Sequence, residues 1–353
     1  MNYYQAIDIA QKQLLPIFVK RYGLEGYEIE PVAAHHGGRN LIYTCEKPGE
    51  PAKILRISYL EDRTQEDFLA ELEYVRFLRE NGASVAEVLD SVDGNLLEEV
   101  ACQGHVFFAA LFERAKGKML VENNYQYREG APLTEYFYNC GKVLGRIHQL
   151  SKEYRPVHRR ESFFDWFHMG VIDRLVPDSL PVLKGKMALL LRELEALDRG
   201  ADNFGMLHFD FNDGNYHIDF DTGQITVYDF DNACFGWYLY DLAELWVHSV
   251  GWVQLEPQAE KRREFMDEYF ATVVAGYRSE TVLADAALGN LPLLIQATVM
   301  ETVLGEFEVM ERDGEEPDLE DGELQYRIRC LEEGIPYVGF FHEMYSCEEP
   351  FTC

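Results

Sequence analysis

The stretch of sequence that decides the fold reads HFDFNDGNYHID over residues 208–219 and, after a turn, ITVYDFD over residues 225–231. Apolar and polar residues alternate along it, which predicts a loop, a strand, a turn and a second strand. Carboxylates lie at the ends of the apolar stretches. The pattern is typical of a loop that presents oxygen-bearing side chains beside a hairpin.

Three side chains of this stretch have the chemistry that phosphoryl transfer requires. That reaction asks the protein for oxygen ligands that hold magnesium and for an acceptor that orients the attacking hydroxyl. Asp210 can accept the hydroxyl proton, and Asn215 and Asp229 can supply hard oxygen ligands from opposite sides of the hairpin. The residues therefore indicate a metal-assisted phosphoryl-transfer site.

The rest of the chain divides into two regions of different predicted structure. Strand and helix patterns before about residue 115 predict a small sheet that carries one long helix. They occur over residues 3–21, over a stretch that ends at residue 34, and over residues 41–45, 54–57, 64–81, 96–100 and 105–112. The region after it is predicted to be mainly helical, with segments at residues 132–151, 182–198, 241–250, 258–277 and 291–310. We therefore predict two domains, 1–114 and 115–353.

The decisive stretch resembles the aminoglycoside phosphotransferase and choline kinase family, whose members are relatives of the protein kinases. His208-x-Asp210-x-x-x-x-Asn215 matches the family's catalytic loop, and Asp229, with the sequence DLA beginning at Asp241, matches its magnesium-binding aspartate and the helix that follows. The resemblance implies Asp210 as catalytic base, Asn215 and Asp229 as magnesium ligands, and His208 and Asp241 as structural supports of the loop.

The same resemblance implies a fold and a pair of cofactors. The fold is an α+β, bilobal, protein-kinase-like architecture, with a five-stranded antiparallel sheet in a nucleotide-binding lobe and a mainly helical lobe for catalysis and acceptor binding. The cofactors are ATP and Mg²⁺, with ATP bound in the cleft between the lobes.

Other positions match the family's nucleotide site. Gly37 and Gly38 lie in the first hairpin, where the family keeps a loop over the phosphates, because glycine lets backbone N–H groups approach a nucleotide. Glu71 lies on the first long helix, where the family has its ion-pair glutamate. Glu113 and Ala115 lie in a stretch that resembles the hinge, whose backbone hydrogen-bonds adenine. The resemblance implies these five residues as nucleotide-binding residues.

One position departs from the family pattern. Members usually carry a lysine on the third strand to hold the nucleotide phosphates, but here Arg56 occupies the aligned position, with Lys53 three residues earlier. Strand alternation places residues 53 and 56 on opposite faces, and we expect Arg56 to face inward. Arginine keeps the charge, although its planar fork differs from the point charge of lysine.

This departure motivates one alternative, a pseudokinase that keeps the fold and acts as a binding protein. A second alternative is a protein Ser/Thr kinase. Only about a dozen residues separate Asp229 from Asp241, whereas protein kinases place a longer peptide-docking segment there, so small acceptors are favoured.

A third alternative is an iron oxygenase, because His208-x-Asp210 also begins a two-histidine, one-carboxylate triad, with His248 as a conceivable distal ligand. This interpretation leaves Asn215 and Asp229 unexplained.

Composition excludes several classes of partner and compartment. The formal charge of −30 argues against nucleic acid, because phosphate binding needs Lys and Arg on the contact face. Seven cysteines without a Cys-x-x-Cys pair fit reduced thiols, and neither a signal peptide nor a membrane span is visible. We expect a cytoplasmic protein that binds no membrane; the oligomeric state is not predicted.

The expected partner is a small molecule with a hydroxyl group. The helical region is rich in acidic residues, and in aminoglycoside phosphotransferases such side chains line the acceptor pocket, which implies a cationic amino-sugar or amino-alcohol. Solvated helix faces are the commoner explanation of the same residues. The residues are Asp165, Asp173, Glu301, Glu306 and Glu308.

Overall fold

The computed structural model describes residues 1, 3–32, 39–253, 256, 258–314, 317, 319 and 322–335. Its contacts divide the chain into two compact units. The first unit contains Met1–Gly117 together with Tyr154–Arg160 and Thr226–Asp231. The second contains Lys118–Glu153, Glu161–Ile225 and the chain from Asn232 onward.

The first unit is built on an antiparallel sheet. Its elements are α1 (Tyr3–Ile9), α2 (Leu15–Arg21), β1 (Glu28–Pro31), β2 (Asn40–Glu46), β3 (Lys53–Ser58), α3 (Gln65–Glu80), β4 (Val88–Leu89), β5 (Glu98–Cys102) and β6 (His105–Glu113). Within the described residues, six strands pair in the order β1-β2-β3-β6-β4, and β5 also pairs with β6. The predicted count of five strands is therefore wrong by one, because β4 has two residues and is too short to leave an alternating pattern in the sequence.

The N-terminal helices pack on this sheet. Apolar residues of α1 and α2 are buried in one cluster with residues of β2, β3 and β6, among them Phe18, Tyr43, Ile57 and Phe107. A π-helical turn, Ala10–Leu14, interrupts the helix that was predicted over residues 3–21. It ends two residues before Pro16, which has no N–H group to donate to a continuous α-helical ladder.

Helix α3 begins at a capping box and buries one face. Thr64 Oγ1 accepts a hydrogen bond from the N–H of Asp67, and Asp67 Oδ2 accepts one from the N–H of Thr64 at 2.8 Å. Glu71 lies on the buried face with apolar residues such as Leu72 and Val75. A carboxylate in that position needs a partner.

The second unit is mainly helical. The elements that follow residue 117 are α4 (Leu133–Ser151), α5 (Phe163–Trp166), α6 (Met169–Leu175), α7 (Pro181–Glu195), β7 (Phe204–Leu207), β8 (Tyr216–Ile218), β9 (Ile225–Val227), β10 (Cys234–Trp237), α8 (Tyr238–His248), α9 (Ala259–Arg278), α10 (Asp285–Leu288), α11 (Leu291–Asp313) and α12 (Gly322–Glu333). An antiparallel sheet followed by a helical part confirms the predicted α+β fold class. In the described part of the chain, no helix is long and apolar enough to span a bilayer.

Two long helices of this unit, α4 and α9, cross at very short range. A Cβ atom at Gly141 would lie 1.9 Å from the carbonyl oxygen of Val273, and one at Gly276 would lie 2.0 Å from that of Tyr138. Only glycine lets the two backbones approach this closely. The crossing places the end of α4 beside the start of α8.

A short two-stranded ribbon holds the decisive loop in place. Strands β7 and β10 pair antiparallel, with Leu207 opposite Cys234 and Gly205 opposite Gly236. The chain enters the loop at His208, directly after β7, and enters α8 directly after β10. The ribbon therefore brings the loop to the first turn of α8.

Candidate active site

The loop between β7 and β8 holds Asp210 and Asn215 together. The Asn215 amide nitrogen donates to the Asp210 carbonyl oxygen at 2.8 Å and to Asp210 Oδ2 at 2.9 Å. Because both partners are oxygens, the nitrogen of the amide must face them, and its oxygen Oδ1 is turned away. Asn215 can thus orient the carboxylate and still offer one oxygen to a cation.

A second asparagine of the loop, which the sequence analysis did not single out, also holds Asp210. Asn212 Nδ2 donates to Asp210 Oδ1 at 2.6 Å, and Asn212 Oδ1 accepts from the N–H of Gly214 at 2.9 Å. Each oxygen of the half-buried Asp210 carboxylate therefore accepts a hydrogen bond from a different amide. Two such bonds fix its orientation.

Asp241, in the first turn of α8, holds the backbone of the loop. Its two carboxylate oxygens accept hydrogen bonds, both at 2.8 Å, from the N–H groups of His208 and Phe209. Phe209 has φ of 73°, which is costly for a residue with a side chain, and its ring stacks on Tyr240 at 4.5 Å. Asp241 thus stabilises a strained backbone directly before Asp210.

Two buried histidines complete this support. The Nδ1 atom of His208 lies 3.3 Å from the N–H of Asp210 and accepts from it. His148, on α4, lies 2.9 Å from Asp241 through Nε2 and 2.9 Å from the Tyr277 hydroxyl through Nδ1. Burial lowers the pKa of His148 more than Asp241 raises it, so the ring is neutral, with Nε2–H donating to the carboxylate. The predicted supports His208 and Asp241 thus both contact the loop.

The first unit joins Arg56 and Glu71 in a buried pair. Two parallel hydrogen bonds, at 2.8 and 2.7 Å, run from the Arg56 guanidinium to the Glu71 carboxylate. The exposed fractions of the two side chains are 5% and 1%. Arg56 therefore lies inside the unit, whereas Lys53 lies over the Tyr27 ring, 4.9 Å from its centre. The fork geometry gives a pairing that lysine could not make.

Asp229 also lies beside the Arg56 guanidinium. Its Oδ1 is 3.7 Å from an Arg56 terminal nitrogen, and its side chain keeps 44% of its surface exposed. Its φ of 63° is left-handed, a conformation that costs about 1–3 kcal/mol and is concentrated at functional sites. Burial lowers the pKa of Arg56, but Glu71, Asp231 and Asp229 together raise it above its ordinary value. The site therefore holds a permanent cation beside Asp229.

Asp231, two residues later, is not among the predicted site residues, but it has several tertiary partners. Its Oδ2 accepts from Asn40 Nδ2 at 3.1 Å, and its carbonyl oxygen accepts from both Arg63 and Arg160. Burial raises the pKa of Asp231, but these arginines and Arg56 lower it below its usual value. Asp231 thus fixes the backbone that carries Asp229.

The other predicted nucleotide-binding residues are Glu113, Ala115, Gly37 and Gly38. The N–H group of Glu113, at the end of β6, donates to the Glu87 carbonyl at 2.8 Å, so it is not available to adenine. Ala115 is buried. Gly37 and Gly38 lie outside the described residues.

Distance along the chain separates the residues that sequence reasoning found from those it missed. Asn212 was within reach, because an asparagine two residues after a catalytic aspartate is placed to bond it locally. The partners of Asp231 are different: Arg63 is 168 residues away and Arg160 is 71 residues away. No local sequence pattern predicts such contacts.

The arrangement has a defined chemical capacity. One unit offers a carboxylate held by two amides, an amide oxygen facing away from it, and a loop backbone fixed by a buried aspartate. The other offers an exposed carboxylate beside a permanent cation. Oriented carboxylates and amide oxygens are the groups that accept hydroxyl protons and bind hard divalent cations. In the described residues, no cluster of three or more His, Cys, Asp or Glu side chains is arranged to hold a metal ion by itself.

Known proteins similar to this chain agree with that chemistry. Amicoumacin kinase from Bacillus subtilis (strain 168) is 27% identical over 336 residues, which cover 94% of each chain. The structure of amicoumacin kinase hAmiN in complex with AMP-PNP, Ca²⁺ and Ami matches with a TM-score of 0.81 and 22% identity, over 97% of this chain and 100% of that one. The structure of a microcompartment-associated aminopropanol kinase matches with a TM-score of 0.64 and 23% identity, over 93% and 94%.

The structural likenesses confirm the kinase-like fold. The model of the phosphotransferase enzyme family matches residues 30–282, which is well over half of the chain. The protein therefore belongs to the phosphotransferase enzyme family.

Proposed function

We propose that Asp210 is the catalytic base of this enzyme and that Asn215 and Asp229 bind its catalytic magnesium. The chain is a kinase that transfers phosphate from ATP to a hydroxyl group of a small molecule. Because the chain belongs to this family, the iron-oxygenase alternative is ruled out and a protein Ser/Thr kinase is disfavoured. The residue roles and the acceptor are the matters proposed here.

The observation that carries the proposal is the pair of amide hydrogen bonds on the Asp210 carboxylate. A base must present one oxygen to the proton that it removes, and positioning supplies much of the rate in phosphoryl transfer. Asn212 and Asn215 hold the carboxylate from two directions, while Asp241 holds the backbone before it. Asp210 would orient the acceptor hydroxyl and remove its proton as the bond to phosphorus forms.

Two oxygen-bearing side chains support the metal role. Asn215 Oδ1 faces away from Asp210, and Asp229 keeps an exposed carboxylate. The similar structure that contains AMP-PNP and Ca²⁺ supports the use of a nucleotide and a divalent cation here. Mg²⁺ would neutralise charge on the phosphates and offset the charge that develops in the transition state.

The nucleotide would be bound mainly by residues of the predicted lobe 1–114. Arg56 would place its charge near the phosphates, held in position by Glu71. Gly37 and Gly38 would cover the phosphates. Because the N–H of Glu113 is bonded to Glu87, adenine would use the Glu113 carbonyl or the backbone of Ala115.

The acceptor would be a small alcohol bound by the predicted lobe 115–353, and we propose a cationic one. The names of two relatives, amicoumacin kinase and aminopropanol kinase, support acceptors that carry nitrogen. Three of the five acidic residues first considered have other partners: Asp165 caps a helix with Ser162, and Glu306 and Glu308 pair with Arg327 and Arg174. A cytoplasmic location stays a prediction.

A transfer assay tests the proposal. We would measure magnesium-dependent phosphorylation of amicoumacin, 1-amino-2-propanol, choline and aminoglycosides, with Asp210→Asn and Asp229→Ala as variants. Asp229→Ala should lose nearly all turnover, and Asp210→Asn should lose about a hundredfold to ten-thousandfold. The control is Asp221→Asn, which changes a carboxylate in the turn after β8. Wild-type rates in either variant would contradict its role, and nucleotide binding without transfer to any alcohol would favour the pseudokinase.

A further inference from the structure

Helix α8 presents one face to the catalytic loop. Asp241 accepts hydrogen bonds from the loop N–H groups of His208 and Phe209, so this side of the helix faces the loop. Residues 244 and 248 follow at spacings of three and seven, which place them within about 60° of Asp241 around the helix axis. Glu244 and His248 therefore continue the same face toward the end of α8.

These two side chains form an ion pair that reaches from the interior to the surface. His248 Nε2 lies 3.4 Å from Glu244 Oε2. The exposed fraction is 12% for the Glu244 side chain and 43% for His248. The Glu244 carboxylate is therefore nearly buried, and the more exposed imidazole of His248 lies at its outer end.

The carboxylates that act on the pair come from the catalytic loop and from the first turn of α8. Asp210 and Asp241 act electrostatically on Glu244, and Asp213 and Asp210 act on His248. Glu301, on α11, acts on the Tyr240 hydroxyl, as Glu244 does. Burial raises the pKa of Glu244, and His248 lowers it in part. Burial lowers the pKa of His248, but Glu244, Asp213 and Asp210 raise it above its ordinary value. Solvent reaches the ring and weakens this effect.

We propose that Glu244 and His248 are specificity-determining residues that bind a second polar group of the acceptor beside its reacting hydroxyl. The inference rests on the proposed function, because it takes Asp210 to be the base. Glu244 accepts a hydrogen bond from the acceptor, and His248 orients Glu244 by donating to its other oxygen. Asp241 already holds the backbone of the loop, so the pair is not needed for that support.

This chemistry selects a class of acceptor. A carboxylate beside the base binds a group that donates a hydrogen bond, which is an amino or hydroxyl group on a carbon next to the reacting alcohol. An alcohol without such a group cannot donate to the other Glu244 oxygen, Oε1, and therefore lacks a hydrogen bond that the amino alcohol or diol would make to a nearly buried carboxylate. The site therefore fits 1,2-amino alcohols and vicinal diols, and it rejects simple monoalcohols.

Three small acceptors that share one reacting hydroxyl test the class: 1-amino-2-propanol, 1,2-propanediol and 2-propanol. Amicoumacin is the large probe. We would measure binding of each to the full chain with AMP-PNP and Mg²⁺ by calorimetry, and separately the transfer from ATP, for wild type, Glu244→Gln and His248→Gln. The matched controls are Glu333→Gln and Arg329→Gln, which remove an exposed ion pair of the same i,i+4 spacing on α12.

The expected result is a change in acceptor binding. Glu244→Gln should weaken binding of amicoumacin and 1-amino-2-propanol about tenfold or more, as expected for a lost charge-assisted hydrogen bond, and raise the acceptor KM more than the ATP KM. The preference for the amino alcohol over 2-propanol should fall in parallel. In both control variants these values should stay within about twofold, as surface pairs contribute little.

A pH profile with 1,2-propanediol, which has no titratable group, separates this role from a merely structural one. Removing His248 removes a group that lowers the pKa of Glu244, so in His248→Gln the acid limb of binding should move to higher pH. Arg329→Gln should leave the limb in place.

Each outcome decides the matter. Unchanged binding and an unchanged acid limb in the Glu244 and His248 variants would overturn the inference, as would a wild type that binds 2-propanol as well as the amino alcohol. Binding that depends on Glu244 without phosphate transfer would support the inference and contradict the proposed function. If neither amicoumacin, 1-amino-2-propanol nor 1,2-propanediol bound to the wild type, the inference would be overturned, even if phosphate were transferred from ATP to other alcohols.

Discussion

At the scale of single residues, Arg56 is the position that distinguishes this enzyme from the pattern of its family. The pair with Glu71 uses both terminal nitrogens of the guanidinium, and one of them also lies near Asp229. A lysine could satisfy only part of this arrangement, since it is a point charge on a flexible stem. Arg56 therefore links the long helix of the sheet unit to the segment that carries Asp229.

Substitution of Arg56 should affect both nucleotide use and stability. Arg56→Ala leaves Glu71 buried without its partner, which costs about 3–5 kcal/mol of unfolding free energy for buried pairs. It should also raise the KM for ATP and lower turnover much more than Lys53→Ala, because Lys53 only lies over the Tyr27 ring. Steady-state kinetics with varied ATP, beside urea unfolding, measure the two effects.

Arg56→Lys provides the control for folding, because it retains a charge opposite Glu71. We expect this variant to keep most of the stability and a measurable rate. Equal and small kinetic effects in Arg56→Ala and Lys53→Ala would contradict an inward role for Arg56 in nucleotide binding.

At the scale of elements, the crossing of α4 and α9 supports the catalytic loop through Asp241. The crossing depends on glycines whose neighbours are backbone atoms, which cannot move aside as a side chain can. It places His148 of α4 and Tyr277 of α9 in hydrogen-bonded contact beneath Asp241. A shift of either helix would therefore reach the catalytic loop through Asp241.

Gly276→Ala should be destabilising. A Cβ there would lie 2.0 Å from the Tyr138 carbonyl oxygen, so the helices must separate, at a cost of about 1–3 kcal/mol or more. Gly185→Ala on α7 is the matched control, because its Cβ would meet nothing within 4 Å and should stabilise the helix by up to about 1 kcal/mol. Thermal and urea unfolding measure both; a neutral Gly276→Ala would show that the crossing can relax.

At the scale of the whole molecule, stability should depend on pH through His148. Burial holds the pKa of this histidine below its ordinary value of about 6.5, so below that pH the unfolded chain binds more protons than the folded one. Its contribution to stability is thus present above about pH 6.5 and lost as the pH falls through and below that value.

The variant His148→Gln isolates this contribution, because glutamine can accept and donate but does not titrate. Urea unfolding at about pH 5 and about pH 7.5 should show a stability advantage of wild type that shrinks at the lower pH. An advantage of the same size at both values would show that His148 does not titrate in this range.

How well an element or contact can be predicted from the sequence depends on how far apart in the chain its interacting residues lie. Alternation and helical spacing are local, so α3, α4 and α11 could be predicted to within a few residues, whereas the two-residue strand β4 could not. Within the site, Asp210 and Asn215 bond across only five residues, and spacing places them together. The contacts of Asp231 with Arg63 and Arg160 depend on tertiary packing and leave no local pattern. The roles assigned to these residues stay predictions until the variants are measured.

The guanidinium at position 56 has a practical consequence for chemical labelling. Amine-reactive nucleotide analogues modify a nucleophilic lysine, and an arginine that stays protonated is not such a nucleophile. Such reagents should therefore form no adduct at this position, although they would in relatives that carry lysine there. Peptide mapping after labelling would distinguish this enzyme from such relatives in a mixed sample.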